Sequence, residues 1–103
     1  MPSGDVVFAA LADPTRRRLL EQLSAEGPRS ATELAPGYPI SRQAVVKHLG
    51  SLASAGLVVA ERDGRDVRFR VRPEEMARAA AWIAEVGARW DRRLEALHRE
   101  LGR

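Results

Sequence analysis

The chain has 103 residues, 17 lysines and arginines against 14 aspartates and glutamates, a formal net charge of +3 and no cysteine. That length suits one small domain with a modest core of its own, for which burial against a second copy is the expected supplement. The missing cysteines exclude disulfides, thiolate metal sites and thiol redox chemistry, while two distant histidines, no glycine-rich phosphate loop and no convergent carboxylate pair argue against an enzyme.

Asp5 to Leu11 reads as a short first helix anchored by Val6, Val7, Ala10 and Leu11. Asp13-Pro14 restarts the chain, with aspartate as N-cap and proline at the first helical position. Leu19, Leu20 and Leu23 carry the helical stripe to about Ala25, and Gly27-Pro28 stops it. The three side chains of Arg16-Arg17-Arg18 cannot face one way. One is expected to meet a phosphate, the others to serve solubility or ion pairs with Asp13 and Glu21.

Ser30-Ala31-Thr32-Glu33 matches a capping box, opening a positioning helix over about 30–35 that Pro36-Gly37 ends. Tyr38-Pro39-Ile40 turns into a basic helix over about 41–55. Ser41 is its N-cap, Ala44, Val45, Leu49 and Leu52 form its apolar side, and Gly56 stands where a left-handed C-terminal residue is wanted. A wing over about 57–72 follows. Leu57 to Arg62 and Val67 to Arg72 flank Asp63-Gly64, and Val67, Phe69 and Val71 alternate with Arg68, Arg70 and Arg72.

Pro73-Glu74-Glu75 begins a last helix, over about 73–101. Ala80, Gly87, Leu94 and Leu101 recur every seven residues, as do Met76, Ile83, Trp90 and Leu97 on the adjacent row, the signature of an a/d seam. Val7 and Leu11 from the first helix join Met76, Ala80, Ile83, Gly87, Trp90, Leu94 and Leu97 as candidate dimerisation residues. Trp82, Trp90 and Met76 read as core, the alternative being an apolar ligand pocket at the dimer interface.

Sixteen of the seventeen basic residues are arginine, and residues 28–72 carry the excess positive charge, as a nucleic-acid footprint requires. The candidate DNA-binding residues are Ser41, Arg42, Gln43, Val46, Lys47 and His48 on the basic helix and Arg62, Arg65, Arg68 and Arg70 in the wing. Arg42 and Gln43 stand at the helix start, where guanine and adenine edges are within reach. Val46 suits a thymine methyl, Lys47 a base or phosphate, and His48 the backbone or a phosphate. Arg65 at the wing tip suits the minor groove; Arg62, Arg68 and Arg70 are phosphate contacts or partners of Glu61, Asp63 and Asp66. The expected fold is mainly α with a small β-hairpin, a single winged helix-turn-helix domain over 1–103 with N- and C-terminal dimerisation helices. The expected partners are double-stranded DNA and a second copy. An acidic protein bound by the same basic face is the alternative.

Several stretches carry a resemblance to a known family: Ala10-Leu11-Ala12-Asp13-Pro14-Thr15-Arg16-Arg17-Arg18-Leu19-Leu20, Ala31 to Ala35, Ser41 to Leu49 and Ala55-Gly56-Leu57-Val58. In their order the chain resembles the ArsR/SmtB family of bacterial repressors, and Trp82 and Trp90 to Leu94 resemble the branch without metal-site cysteines. The resemblance implies a homodimeric winged-helix protein that binds promoter operators and represses, often at its own gene. Thr32 to Ala35 stand where metal sensors carry a cysteine pair, so that site is absent. Asp91, Glu95 and His98 are what remains of a C-terminal metal set. Glu95 and His98, three apart, read as a surface ion pair rather than ligands, so no metal and no cofactor is expected. The inducer is unknown. No stretch offers the ~18 uninterrupted apolar residues of a membrane helix and no signal peptide opens the chain, so the expected location is the cytoplasm.

Overall fold

The computed structural model of the chain describes residues 4–102. Its elements are α1 (Gly4–Ala12), α2 (Pro14–Glu26), β1 (Arg29–Ser30), α3 (Ala31–Leu34), α4 (Arg42–Ser54), β2 (Val58–Asp63), β3 (Asp66–Val71) and α5 (Pro73–Leu101), with one 3-10 turn at Ala35–Gly37. The helix starts are local chemistry. Asp13 accepts the Arg16 N–H at 3.1 Å ahead of Pro14, and Ser41 Oγ accepts the Ala44 N–H at 3.1 Å. At α3 the capping box is complete, Ser30 Oγ accepting the Glu33 N–H at 3.1 Å and Glu33 Oε1 the Ser30 N–H at 3.0 Å.

The core lies where α2, α3 and α4 meet the sheet. Leu19, Leu34, Val45, Leu49, Leu52, Leu57 and Val58 are fully buried, and Phe69 closes the sheet side. The end of α4 is what delivers the chain to that sheet. Gly56 takes a φ of 79°, and the Leu57 N–H returns to Leu52 O while the Gly56 N–H returns to Ala53 O, both at 3.0 Å. These two bonds are the Schellman pattern, which needs a residue at ease with positive φ.

The sheet has three strands in the order β1-β3-β2, where the sequence pattern shows only a hairpin. The added strand pairs Arg29 with Phe69 and Ser30 with Arg68, antiparallel. Two residues are too few to display alternation, so only the partner reveals it. In the hairpin, Asp63 pairs with Asp66, which makes the turn Gly64-Arg65 rather than Asp63-Gly64. Gly64 has a φ of 64° and no non-glycine residue has positive φ among the described residues, which is the type II′ requirement of glycine in the first central position.

Along α5 only the first half touches the body. Ala79 is buried, Met76, Trp82 and Val86 are half-buried, and every residue from Gly87 to Leu101 is exposed. The radius of gyration, 17.5 Å, exceeds the value of about 13 Å for a compact chain of this size. The projecting half of α5 accounts for that excess.

Candidate nucleic-acid interface

Helix α4 divides cleanly. Val45, Leu49 and Leu52 face the core at 0% exposure, while Ser41, Arg42, Gln43, Val46, Lys47 and Gly50 are exposed. Burial of one stripe fixes the helix and leaves the other turned to solvent among the described residues. Val46, 46% exposed between charged and amide neighbours, is an apolar side chain offered to solvent. Arg42 is held from behind. Its Nη1 donates to Thr32 Oγ1 of α3 at 3.3 Å, so the positioning helix supports a side chain at the start of α4.

His48 lies on the flank between the two stripes, half-buried, with Nδ1 3.4 Å from Nη1 of Arg16. In place of the ion pairs with Asp13 and Glu21 expected among the three arginines of α2, the described residues show other partners for them. Arg16 donates from Nε to Ala10 O at 2.8 Å and from Nη2 to Ala9 O at 3.0 Å, and Arg17 donates to Leu11 O at 2.7 Å. These are carbonyls at the end of α1 that the helix itself leaves open. Arg18 lies over the Tyr38 ring, 5.0 Å from its centroid, and the Tyr38 hydroxyl donates to Gln22 Oε1 at 2.8 Å. Burial pushes the Tyr38 phenol above its ordinary pKa, which keeps it a donor.

The wing arginines fall into two pairs. Arg68 stands 3.2 Å from Asp63 and 3.6 Å from Glu33, and Arg70 sets both Nε and Nη2 at 2.8 Å from Glu61 Oε1. Arg62 and Arg65 are exposed and have no such partner among the described residues. Hydrogen bonds from the Ser30 backbone, and then the nearby Arg68 charge, hold the Glu33 carboxyl below its ordinary pKa. At Asp13 the Arg16 backbone N–H lowers the pKa first, with the Thr15 backbone N–H and the Arg16 charge adding to it.

The apolar residues of the two terminal helices also fall into two sets. Val7, Leu11 and Met76 pack against the chain's own core, whereas Ala80, Ile83, Gly87, Trp90, Leu94 and Leu97 are exposed. Trp90 is 56% exposed with Arg93 stacked 5.6 Å from its ring centroid. Phe8, which the helical stripe of α1 does not single out, sits edge-on to Trp82 with centroids 4.9 Å apart and is itself half exposed. Thr32 is a second residue missed from sequence, because its contact with Arg42 crosses between helices. Among the described residues, Glu95 and His98 form no ion pair, and no three His, Cys, Asp or Glu side chains converge as a metal site would need. No helix among them is long and apolar enough to cross a membrane.

Comparison with known proteins places these features in company. A helix-turn-helix domain family matches residues 11–61. The HTH-type transcriptional regulator CmtR of Mycobacterium tuberculosis is 40% identical over 77 residues, which are 75% of this chain and 64% of CmtR, so the chain spans less than two thirds of that relative. A solved ArsR-like transcriptional regulator from Rhodococcus sp. RHA1 is 42% identical, with a TM-score of 0.75 over 93% of this chain and 90% of that one. The homodimeric winged helix-turn-helix DNA-binding domain of a possible ArsR-family regulator from Mycobacterium bovis is 31% identical. Its TM-score is 0.66 over 82% of this chain and 77% of its own.

Proposed function

The chain belongs to the ArsR family of winged helix-turn-helix transcriptional regulators, and from that premise we propose that it is a homodimeric, sequence-specific repressor acting at promoter operators, its own among them. The observation that carries this reading is the two-sidedness of α4. A helix anchored through Val45, Leu49 and Leu52 presents Arg42, Gln43, Val46 and Lys47 as an unpacked outer row, a width and chemistry suited to the major groove.

Roles follow from reach and freedom. Arg42 and Gln43 read base edges, Lys47 meets a base or phosphate, and Val46 touches a thymine methyl. Arg65, at the wing tip and without a carboxylate partner, enters the minor groove, and Arg62 takes a phosphate. Arg68 and Arg70, already ion-paired, orient the wing and contribute less to DNA directly. Ser41 caps α4.

The second copy covers Ile83, Trp90, Leu94 and Leu97, joined by Phe8. A helix face this apolar and this exposed gains far more from a partner than from water. The protein acts by occupying DNA, not by catalysis, and does so in the cytoplasm. Footprinting on the promoter of its own gene tests the reading. The expected result is a protected site with two half-sites about one helical turn apart, the spacing a twofold dimer imposes. A promoter left unprotected at protein concentrations well above those of ordinary specific binding contradicts it.

A further inference from the structure

Arg16 joins three elements with one guanidinium. Nε and Nη2 close the Ala10 and Ala9 carbonyls of α1, and Nη1 reaches Nδ1 of His48 on α4 at 3.4 Å. A guanidinium has donors only, so the third contact requires a lone pair on Nδ1. The ring is then neutral, with its proton on Nε2. A ring protonated on Nδ1 would set one donor against another. Nε2 has no partner within the described residues and is not among the polar atoms sealed from solvent. It is a free N–H on the flank of the reading helix, next in sequence to exposed Lys47. Asp13, a carboxylate near this pair, is occupied as the N-cap of α2.

We propose that Arg16 is a positioning residue for DNA recognition: it holds His48 as the Nε2–H tautomer, so that a neutral donor meets a backbone phosphate oxygen beside the reading helix. The proposal rests on the DNA-binding reading above. It gives the phosphate contact a property that lysine and arginine lack. A neutral donor adds affinity without counterion release, so its share of binding does not fall with salt. The same guanidinium ties α4 to the end of α1, and α1 meets α5 through Phe8 and Trp82. The reading helix is thereby braced against the helices assigned to the dimer.

The test uses the full chain. Imidazole nitrogen resonances of the free protein at neutral pH should show His48 protonated on Nε2 alone, and Arg16→Gln should convert it to a tautomer mixture. On a promoter duplex, His48→Phe should lower affinity about five-fold with the salt slope unchanged, and His48→Gln, which keeps a donor, should restore most of the loss. In the His48→Phe background, Arg16→Gln should cost no further affinity, thermal melts having shown each variant folded. A proton on Nδ1, a slope flattened by about one unit in His48→Phe, or additive losses in the double variant overturns the proposal. If wild-type protein prefers no promoter duplex to a scrambled one, the DNA reading itself fails, and the phosphate role with it. The tautomer measurement still decides the Arg16–His48 bond in that case.

Discussion

Arg68 of the wing strand lies 3.6 Å from the carboxylate of Glu33, the residue that closes the capping box of the positioning helix. One acid thus serves two purposes, starting α3 and anchoring β3 beside it. Sequence pattern leaves Arg68 as a phosphate contact or a partner of Glu61, Asp63 or Asp66, and the fold gives it Asp63 together with Glu33, a carboxylate from outside the wing. Exposed pairs of this kind contribute at most about 1 kcal/mol each, so the consequence is orientation more than stability.

Arg65 and Arg68 should therefore behave differently when replaced. Arg65→Ala is expected to weaken binding to every duplex and to flatten the plot of log affinity against log salt by about one unit. Arg68→Ala is expected to weaken binding while leaving that slope nearly unchanged, because its charge is already matched. Titrations at several salt concentrations decide this, and equal slope changes in the two variants would contradict the assignment.

Arg42 is the residue to remove for specificity. With its guanidinium supported by Thr32 and its place at the first turn of α4, Arg42→Ala should cost about 1–3 kcal/mol against the correct operator and much less against random DNA. The readout is the ratio of the two affinities. A ratio that does not move removes Arg42 from base reading. Thr32→Val, which deletes the support but not the arginine, should lower the ratio in the same direction by a smaller factor.

Trp90 tests the subunit contact. The ring is 56% exposed in one chain and belongs to no core cluster, so Trp90→Ala should leave the melting of the monomer's own core largely intact. A buried interface tryptophan is worth about 2 kcal/mol or more, so the dimer dissociation constant should rise about thirty-fold or more. Sedimentation equilibrium measures it. An unchanged constant would place the second copy elsewhere.

Much of this architecture is legible in the sequence because its signals are local. Asp13-Pro14, Ser30 with Glu33, Ser41 and Gly56 each act within five residues, and each forms the cap its chemistry implies. What stays hidden depends on residues far apart. The strand Arg29–Ser30 exists only through Phe69 and Arg68, Arg16 meets His48 across 32 positions, and the turn register shifts because glycine is needed one place earlier than an Asp-Gly pair suggests. The heptad rows of α5 are visible, yet periodicity does not tell which members the chain covers itself. Met76 turns to the core and Trp90 does not.

The cap at Asp13 predicts an acid dependence. Its folded pKa lies below the ordinary value of 3.8, so the stabilisation is fully present above that value and is lost as pH falls through the lowered one. Asp13→Asn keeps an N-cap but has nothing to protonate. Melting temperatures of the wild type and Asp13→Asn should therefore differ in favour of the wild type near pH 6, and the difference should shrink or reverse by about pH 2. A difference independent of pH would show that the Asp13 charge contributes nothing to folding.

The central claim is that the outer row of α4 and the wing tip read a specific duplex. Fluorescence anisotropy on a duplex from upstream of the chain's own gene, with a scrambled duplex as competitor and salt varied, tests it most directly. If each subunit of a dimer neutralises ~4 phosphates, the slope of log affinity on log salt should be near about −7, with a large preference for the promoter sequence. Equal affinity for both duplexes, or no binding at moderate salt, would contradict the account and turn the basic face toward an acidic protein instead.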